Sequence, residues 1–145
     1  HPDPFSARYA WRVPWRIDID RLRELAGRLV GTHDFAGFQC AGASPGATTR
    51  TLHSIRVLPG GFAGPCDGGG LWRIEFHADG FLYKMVRNLT GTLAEAARGR
   101  LPESALAERL SAPGPYRGFT APAHGLALIE VQYDAPATPT EKKAL

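Results

Sequence analysis

At 145 residues, 43% hydrophobic and 10% aromatic, the chain suits a single domain whose core needs no disulfides. Its 17 Lys and Arg against 14 Asp and Glu give a net charge of +3, which permits a polyanionic partner without demanding one. No apolar run reaches membrane-spanning length and no charged-then-apolar leader is present, so the expectation is a soluble, cytoplasmic protein.

The opening His1-Pro-Asp-Pro-Phe5 lacks an initiator Met, which suggests a chain that begins inside a longer one or after processing. Residues 6–17 set aromatics beside arginines and a proline. That composition admits an RNA-stacking surface. The plainer expectation is an irregular segment or edge strand pinning its aromatics on the core. Asp18 and Asp20 then introduce a helix to about Val30, with Leu22, Leu25, Ala26 and Leu29 on one face and Gly31 ending it. His33-Asp34 follows and invites a hydrolase reading. Adjacent residues rarely point at each other, however, and no Ser or Cys nucleophile motif accompanies the pair. Phe35 and Phe38 read as core anchors.

Residues 39–50 form a small, flexible loop whose Gly and Ser content resembles a phosphate loop but lacks its Gly-Lys-Ser/Thr ending. Arg50, the loop's only charge, sits at the exit into a strand and either holds a backbone phosphate or lies in solvent. In the strand Leu52–Leu58, His53, Ile55 and Val57 alternate with Ser54 and Arg56. In Leu71–Ala78, Trp72, Ile74 and Phe76 alternate with Arg73, Glu75 and His77, giving one buried and one wet face. The Gly/Pro-rich Pro59–Gly70 reads as a long hairpin loop. Cys40 and Cys66, without a second Cys or His at ligand spacing, read as free thiols.

The stretch Gly80–Gly99 organises the chain. Leu82, Met85, Val86, Leu89, Leu93 and Ala96 share one face of an α-helix, with Gly99 placed to cap its C-terminus and Arg98 and Arg100 near the negative end of the dipole. Arg87 lies off that stripe beside Tyr83, Thr90, Gly91 and Ala94. Thr90, Gly91 and Ala94 are small enough for another backbone to approach, or else they are chance members of a solvated face. A short helix from Pro102 buries Leu106 and Leu110, and Pro113-Gly-Pro115 stops it. In a last strand, Leu126–Tyr133, Ala127, Ile129, Val131 and Tyr133 make the core face and Leu126 and Leu128 the opposite one. Leu126 then floors a pocket for a flat apolar ring, or is a partly covered surface leucine. The order predicts an α+β domain over residues 1–134, with helices on one face of a mainly antiparallel sheet, and a frayed tail at 135–145.

Four strings occur together and in order: Gly31-Thr-His-Asp-Phe35; Thr49-Arg-Thr-Leu52; Gly80-Phe-Leu-Tyr-Lys-Met-Val-Arg-Asn88 with Gly91-Thr-Leu93; and Thr120-Ala-Pro-Ala-His-Gly-Leu-Ala-Leu128 with Val131-Gln-Tyr133. On these the chain, over roughly residues 5–134, resembles the C-terminal half of the tRNA pseudouridine synthase A family. Thr90 stands where the family more usually has an aliphatic residue. The resemblance implies a ferredoxin-like half of the fold. It also implies isomerisation of a tRNA uridine at its C1′–N1 bond, without metal or organic cofactor, the base being swung into a cleft.

By resemblance, Arg87 corresponds to the arginine that pairs with the catalytic aspartate, and Leu126 to the leucine packed against the uracil. Arg50 and Lys84 are phosphate contacts in this picture. The family's aspartate lies in an Arg-Thr-Asp motif of its N-terminal half, with the stacking tyrosine, and no Arg-Thr-Asp occurs here. Asp34 belongs to another motif and does not fill that place. The implied partners are tRNA at its anticodon arm, an N-terminal half that packs against the small face beside Arg87, and a second copy in a homodimer. No membrane is implied. The chain alone is expected to be inactive. Two other classes are a non-catalytic RNA-binding or assembly module of the same fold, and an unrelated hydrolase using His33 and Asp34.

Overall fold

The first helix starts where the sequence supplies a cap. In the computed structural model, which describes residues 4, 6–61, 70–111 and 114–133, the Asp18 carboxylate accepts from the Arg21 backbone N–H at 3.0 Å, and α1 runs Ile19–Gly27. Tighter turns continue through Val30, so Leu29 remains fully buried past the helix end. Gly31, at φ +114°, then turns the chain into β1, Gly31–Asp34. This strand was not expected: four residues with small or polar side chains carry no apolar alternation.

β2, Thr49–Pro59, lies between β1 and β3, Trp72–Ala78, and pairs antiparallel with both. Its register slips between Leu52 and Ser54, where His53 is the extra residue of a bulge. Because side chains alternate, one inserted residue reverses parity. Leu52, Ile55 and Val57 therefore all face the core, while His53 joins His77 on the wet face with ring centroids 4.9 Å apart. The expectation that His53 shares a face with Ile55 is corrected by this bulge. Ile74 and Phe76 pack on the core as expected, but Trp72 at the edge remains 38% exposed beneath the Arg23 guanidinium.

α2, Met85–Ala97, covers the same sheet face together with α1. Leu82, Met85, Leu89, Leu93 and Ala96 are buried. At its end the Gly99 N–H bonds to the Ala96 carbonyl and the Arg100 N–H to the Glu95 carbonyl, with Gly99 at φ +83°. That is the double-bonded glycine stop foreseen for this position. α3, Ala105–Ser111, buries Leu106 fully and Leu110 partly. The three helices and the antiparallel sheet make the α+β fold.

The second face of α2 is closed by the chain itself. A Cβ placed on Gly91 would be driven into the Phe119 carbonyl oxygen. Phe119 stacks on Trp11 at 5.4 Å, and Arg98 lies 3.8 Å over the Trp15 ring. Within residues 6–17, Trp11 and Trp15 thus pin their rings as expected while Tyr9 is 78% exposed, and the backbone that the small face admits is residues 119–121. The expectation that a missing half fills this face is corrected.

The last strand is also corrected. Residues 126–133 form no strand, and Ile129, Val131 and Tyr133, expected on the core face, are 65%, 51% and 86% exposed. Alternation lets a segment be a strand, but an extended backbone becomes one only against a neighbour that takes its N–H and C=O groups. Cys66, most of the 59–70 connector, Pro113 and the tail from 134 lie outside the described residues.

Asp34 and His33 do not face one another. The Asp34 carboxylate accepts from the Thr48 hydroxyl at 2.6 Å and from the Ala36 N–H at 3.0 Å, while a His33 ring nitrogen lies 3.3 Å from the Val30 carbonyl. Those two hydrogen bonds, the hydroxyl first, hold the Asp34 carboxyl below the usual aspartate range.

Gly91→Ala is expected to destabilise the chain by ~2 kcal/mol or more in urea unfolding, because the backbone oxygen it meets outweighs the ~1 kcal/mol of helix propensity gained. Gly27→Ala, with nothing within 4 Å, is expected to be neutral or mildly stabilising. A lowered folded-state pKa gives stability that is present above the ordinary aspartate value, about 3.9, and lost as pH falls through the depressed one. Asp34→Ala should therefore lower stability modestly near neutrality, and the gap from wild type should narrow in thermal melts as pH falls through the depressed value.

Candidate functional site

Arg87 occupies the first turn of α2 and is half-buried. It is bonded to Ala121 in both directions: its Nε donates to the Ala121 carbonyl at 2.7 Å, and the Ala121 N–H donates to its own carbonyl at 3.1 Å. Among the described residues no carboxylate forms an ion pair with it, whereas Arg21, Arg23, Arg28, Arg56, Arg73, Arg98 and Arg100 each have one. One edge of the guanidinium is fixed by a backbone oxygen, and the positive end of α2 lies beside it. Such a place favours an anion, carboxylate or phosphate.

The segment that holds Arg87 leads directly to Leu126. After Ala121 the chain makes a short 3₁₀ turn at Ala123–Gly125, closed by the Leu126 N–H on the Ala123 carbonyl at 3.0 Å. The turn is set against the N-terminal segment. A His124 ring nitrogen lies 3.2 Å from the Ala10 carbonyl, and a Cβ on Gly125 would press on the Trp11 backbone. Leu126 leaves it extended and 49% exposed. The fold thus ties both expected residues to one short stretch, Ala121–Leu126, with the guanidinium at its start and an open apolar side chain at its end.

Sequence reasoning quoted Asn88 without a role. It is fully buried one residue after Arg87. Its amide donates to the Phe38 carbonyl at 2.7 Å, and its Oδ1 accepts from the Thr120 hydroxyl at 2.7 Å. Asn88 therefore locks the turn at Phe38, helix α2 and the 120–126 stretch to one another. A polar residue following the arginine in a mostly apolar helix was the available signal, because a buried amide needs partners.

Arg50 and Lys84 fall in a neighbouring group. Arg50 is half-buried, with Nη1 donating to the carbonyls of Ala47 at 2.9 Å and Thr49 at 2.7 Å. Its side chain lies along Gly80, where a Cβ would meet Nε at 3.5 Å. Lys84 is exposed, at φ 58° the one positive-φ non-glycine among the described residues, and its Nζ lies 5.0 Å from the Tyr83 ring centroid. Both cations thus flank the Gly80–Lys84 turn that leads into α2. Among the described residues no cluster of three or more His, Cys, Asp or Glu is placed to hold a metal ion, and no helix is long and apolar enough to cross a membrane.

Residues 25–134 match the family model described as tRNA pseudouridine synthase. The tRNA pseudouridine synthase A of Bacillus pumilus (strain SAFR-032) is 36% identical over 135 residues, covering 92% of this chain and 51% of the relative. That of Listeria monocytogenes serotype 4b (strain CLIP80459) is 37% identical over 134 residues, covering 91% and 51%. That of Thermoanaerobacter sp. (strain X514) is 32% identical over 131 residues, covering 90% and 50%. The chain spans about half the length of the curated relatives it matches. The match takes in the Arg87 turn, the Asn88 lock and the 120–126 stretch together, and the chain belongs to the tRNA pseudouridine synthase family.

Proposed function

We propose that this chain is the C-terminal half of a tRNA uridine-to-pseudouridine isomerase and supplies two walls of a cleft whose aspartate comes from another half. Arg87 pairs with that aspartate, and Leu126 packs against the face of the target uracil. The observation that carries this reading is the half-buried Arg87 guanidinium, fixed through Nε by the Ala121 carbonyl and without a carboxylate partner among the described residues. A carboxylate in a water-poor cleft needs an opposite charge to remain ionised, and a guanidinium presents two parallel N–H groups to it. An aliphatic side chain holds a base by its face whichever edge is presented, which suits a base that must turn.

The reaction balances without a further reagent. The C1′–N1 bond breaks, C5 bonds to C1′, the proton on C5 leaves to solvent, and N1 takes one up. The aspartate acts as nucleophile or base, and Arg87 keeps it charged. The open alternating segment 126–133 supports a second half as well, since it carries the pattern of a strand and pairs with no strand among the described residues. On this reading the substrate is a uridine of the tRNA anticodon arm, the assembled enzyme is a cytoplasmic homodimer, and the isolated chain is inert.

The test is tritium release from tRNA carrying 5-tritiated uridine, using the chain joined to an Arg-Thr-Asp-containing half. The chain alone should release none. Arg87→Ala in the joined protein should lower kcat by ~10²-fold or more, as when one charge-stabilising donor is removed from a preorganised site. Arg87→Lys should recover little, because an ammonium lacks the two-pronged geometry. Normal release by Arg87→Ala would overturn the role given to the arginine.

A further inference from the structure

A cavity of about 390 Å³ opens beside the turn that leads into α2. One wall is the loop Ala43–Ala47; the other is Phe81, Leu82 and Tyr83, with Arg50 at its base. Phe81 and Tyr83 are 41% and 52% exposed, and among the described residues none that lines the cavity is acidic. Arg50 is held in place by the Ala47 and Thr49 carbonyls, so its charge is positioned rather than swinging free. Lys84, whose backbone is turned into the left-handed region, brings its ammonium over the Tyr83 ring.

We propose that this cavity, whose lining includes neither Arg87 nor Leu126, is a nucleotide subsite for single-stranded RNA in which one unstacked base lies on Tyr83 with Phe81 beside it. The flanking phosphates meet Arg50 and Lys84. The proposal rests on the reading of the chain as half of a tRNA-modifying enzyme, and it adds base stacking to the two cations. An aromatic face accepts any base, and a cation beside it answers the phosphate, which is the pairing that single-strand binders use. The Ala43–Ala47 wall is Ala-Ser-Pro-Gly-Ala, with no bulky side chain to bar a flat ring. An acidic peptide would satisfy the cations but would leave two exposed rings without a role. The site therefore holds tRNA by a base stacked on Tyr83 rather than by its phosphates alone.

The experiment is a fluorescence-anisotropy titration of the 145-residue chain with a fluorescein-labelled tRNA transcript, which needs no catalysis and is read independently of tritium release. Tyr83→Ala should weaken binding about tenfold, while Tyr83→Phe, which keeps the stacking face, should stay within about twofold. Arg50→Gln should weaken binding and flatten the slope of log affinity against log salt by ~0.7, the contribution of one phosphate contact on a single strand. Poly(U) should displace the transcript far better than polyglutamate of equal charge. Unchanged affinity in Tyr83→Ala, equal displacement by polyglutamate, or no binding by the wild-type chain each overturns the subsite. A change confined to self-association in sedimentation, with RNA affinity unaltered, makes the patch a protein interface and overturns it too. Failure of the Arg87 test would leave these titrations unaffected.

Discussion

The structure depends on how the first turns of α2 grip the stretch from Phe119 to Ala121. Arg87 exchanges two hydrogen bonds with Ala121, Asn88 accepts from Thr120, and Gly91 lets the Phe119 carbonyl come down on the helix. These contacts sit on one helical face and act on three successive residues of a segment that is otherwise irregular. An irregular backbone against a helix must have its polar groups satisfied, and here the helix side chains do that. The grip decides the direction in which Leu126 leaves the domain.

A second network gives the grip something to stand on. Glu95 is 7% exposed and paired with Arg98, whose guanidinium also covers Trp15, and with Arg100 past the helix end. Removing one member of a buried pair leaves an uncompensated charge, so this cluster is costly to disturb. Through Trp15 and Trp11 it fixes the N-terminal segment, and Trp11 in turn supports Phe119 and Gly125. Tyr116, buried and hydrogen-bonded to the Thr92 hydroxyl and the Phe119 carbonyl, closes the same layer. Burial is the main cause that raises its phenol above the usual range.

What the sequence made legible was whatever one element decides for itself. The apolar stripe of α2, the glycine stop at Gly99 and the Asp18 cap each depend on residues within a turn or two, and each stands as expected, except that the helix starts only at Met85, after Leu82, and Val86 is half-buried. Features that need a partner were harder to see. β1 exists because β2 is beside it, and the bulge at His53 exists because two registers meet there. The small face beside Arg87 announced a close approach, but nothing in Thr90, Gly91 or Ala94 says which backbone makes it. It is the chain's own. Segment 126–133 shows the reverse case, in which a strand pattern has no pairing neighbour among the described residues. In the site, Arg87 lay off the apolar stripe and took its role from the family resemblance, whereas Asn88, next in the same motif, was given none.

The allocation of charge decides what the site can do. Asp18, Asp34 and Asp79 each accept from backbone N–H groups, Glu95 and Glu75 each hold two arginines, and Glu103 holds Arg21 and Arg28. Arg87 and Arg50 instead rest on backbone carbonyls. A carbonyl fixes the direction of a guanidinium without neutralising it, so both keep their charge for an anion that arrives from elsewhere. The stretch that begins at Arg87's partner Ala121 ends at the exposed aliphatic Leu126, which in the proposed reading suits a base that must turn. At Arg50 the adjoining surface is aromatic, which suits a base that must stay. On the two proposed readings, the same cation on different surfaces serves chemistry in one place and grip in the other.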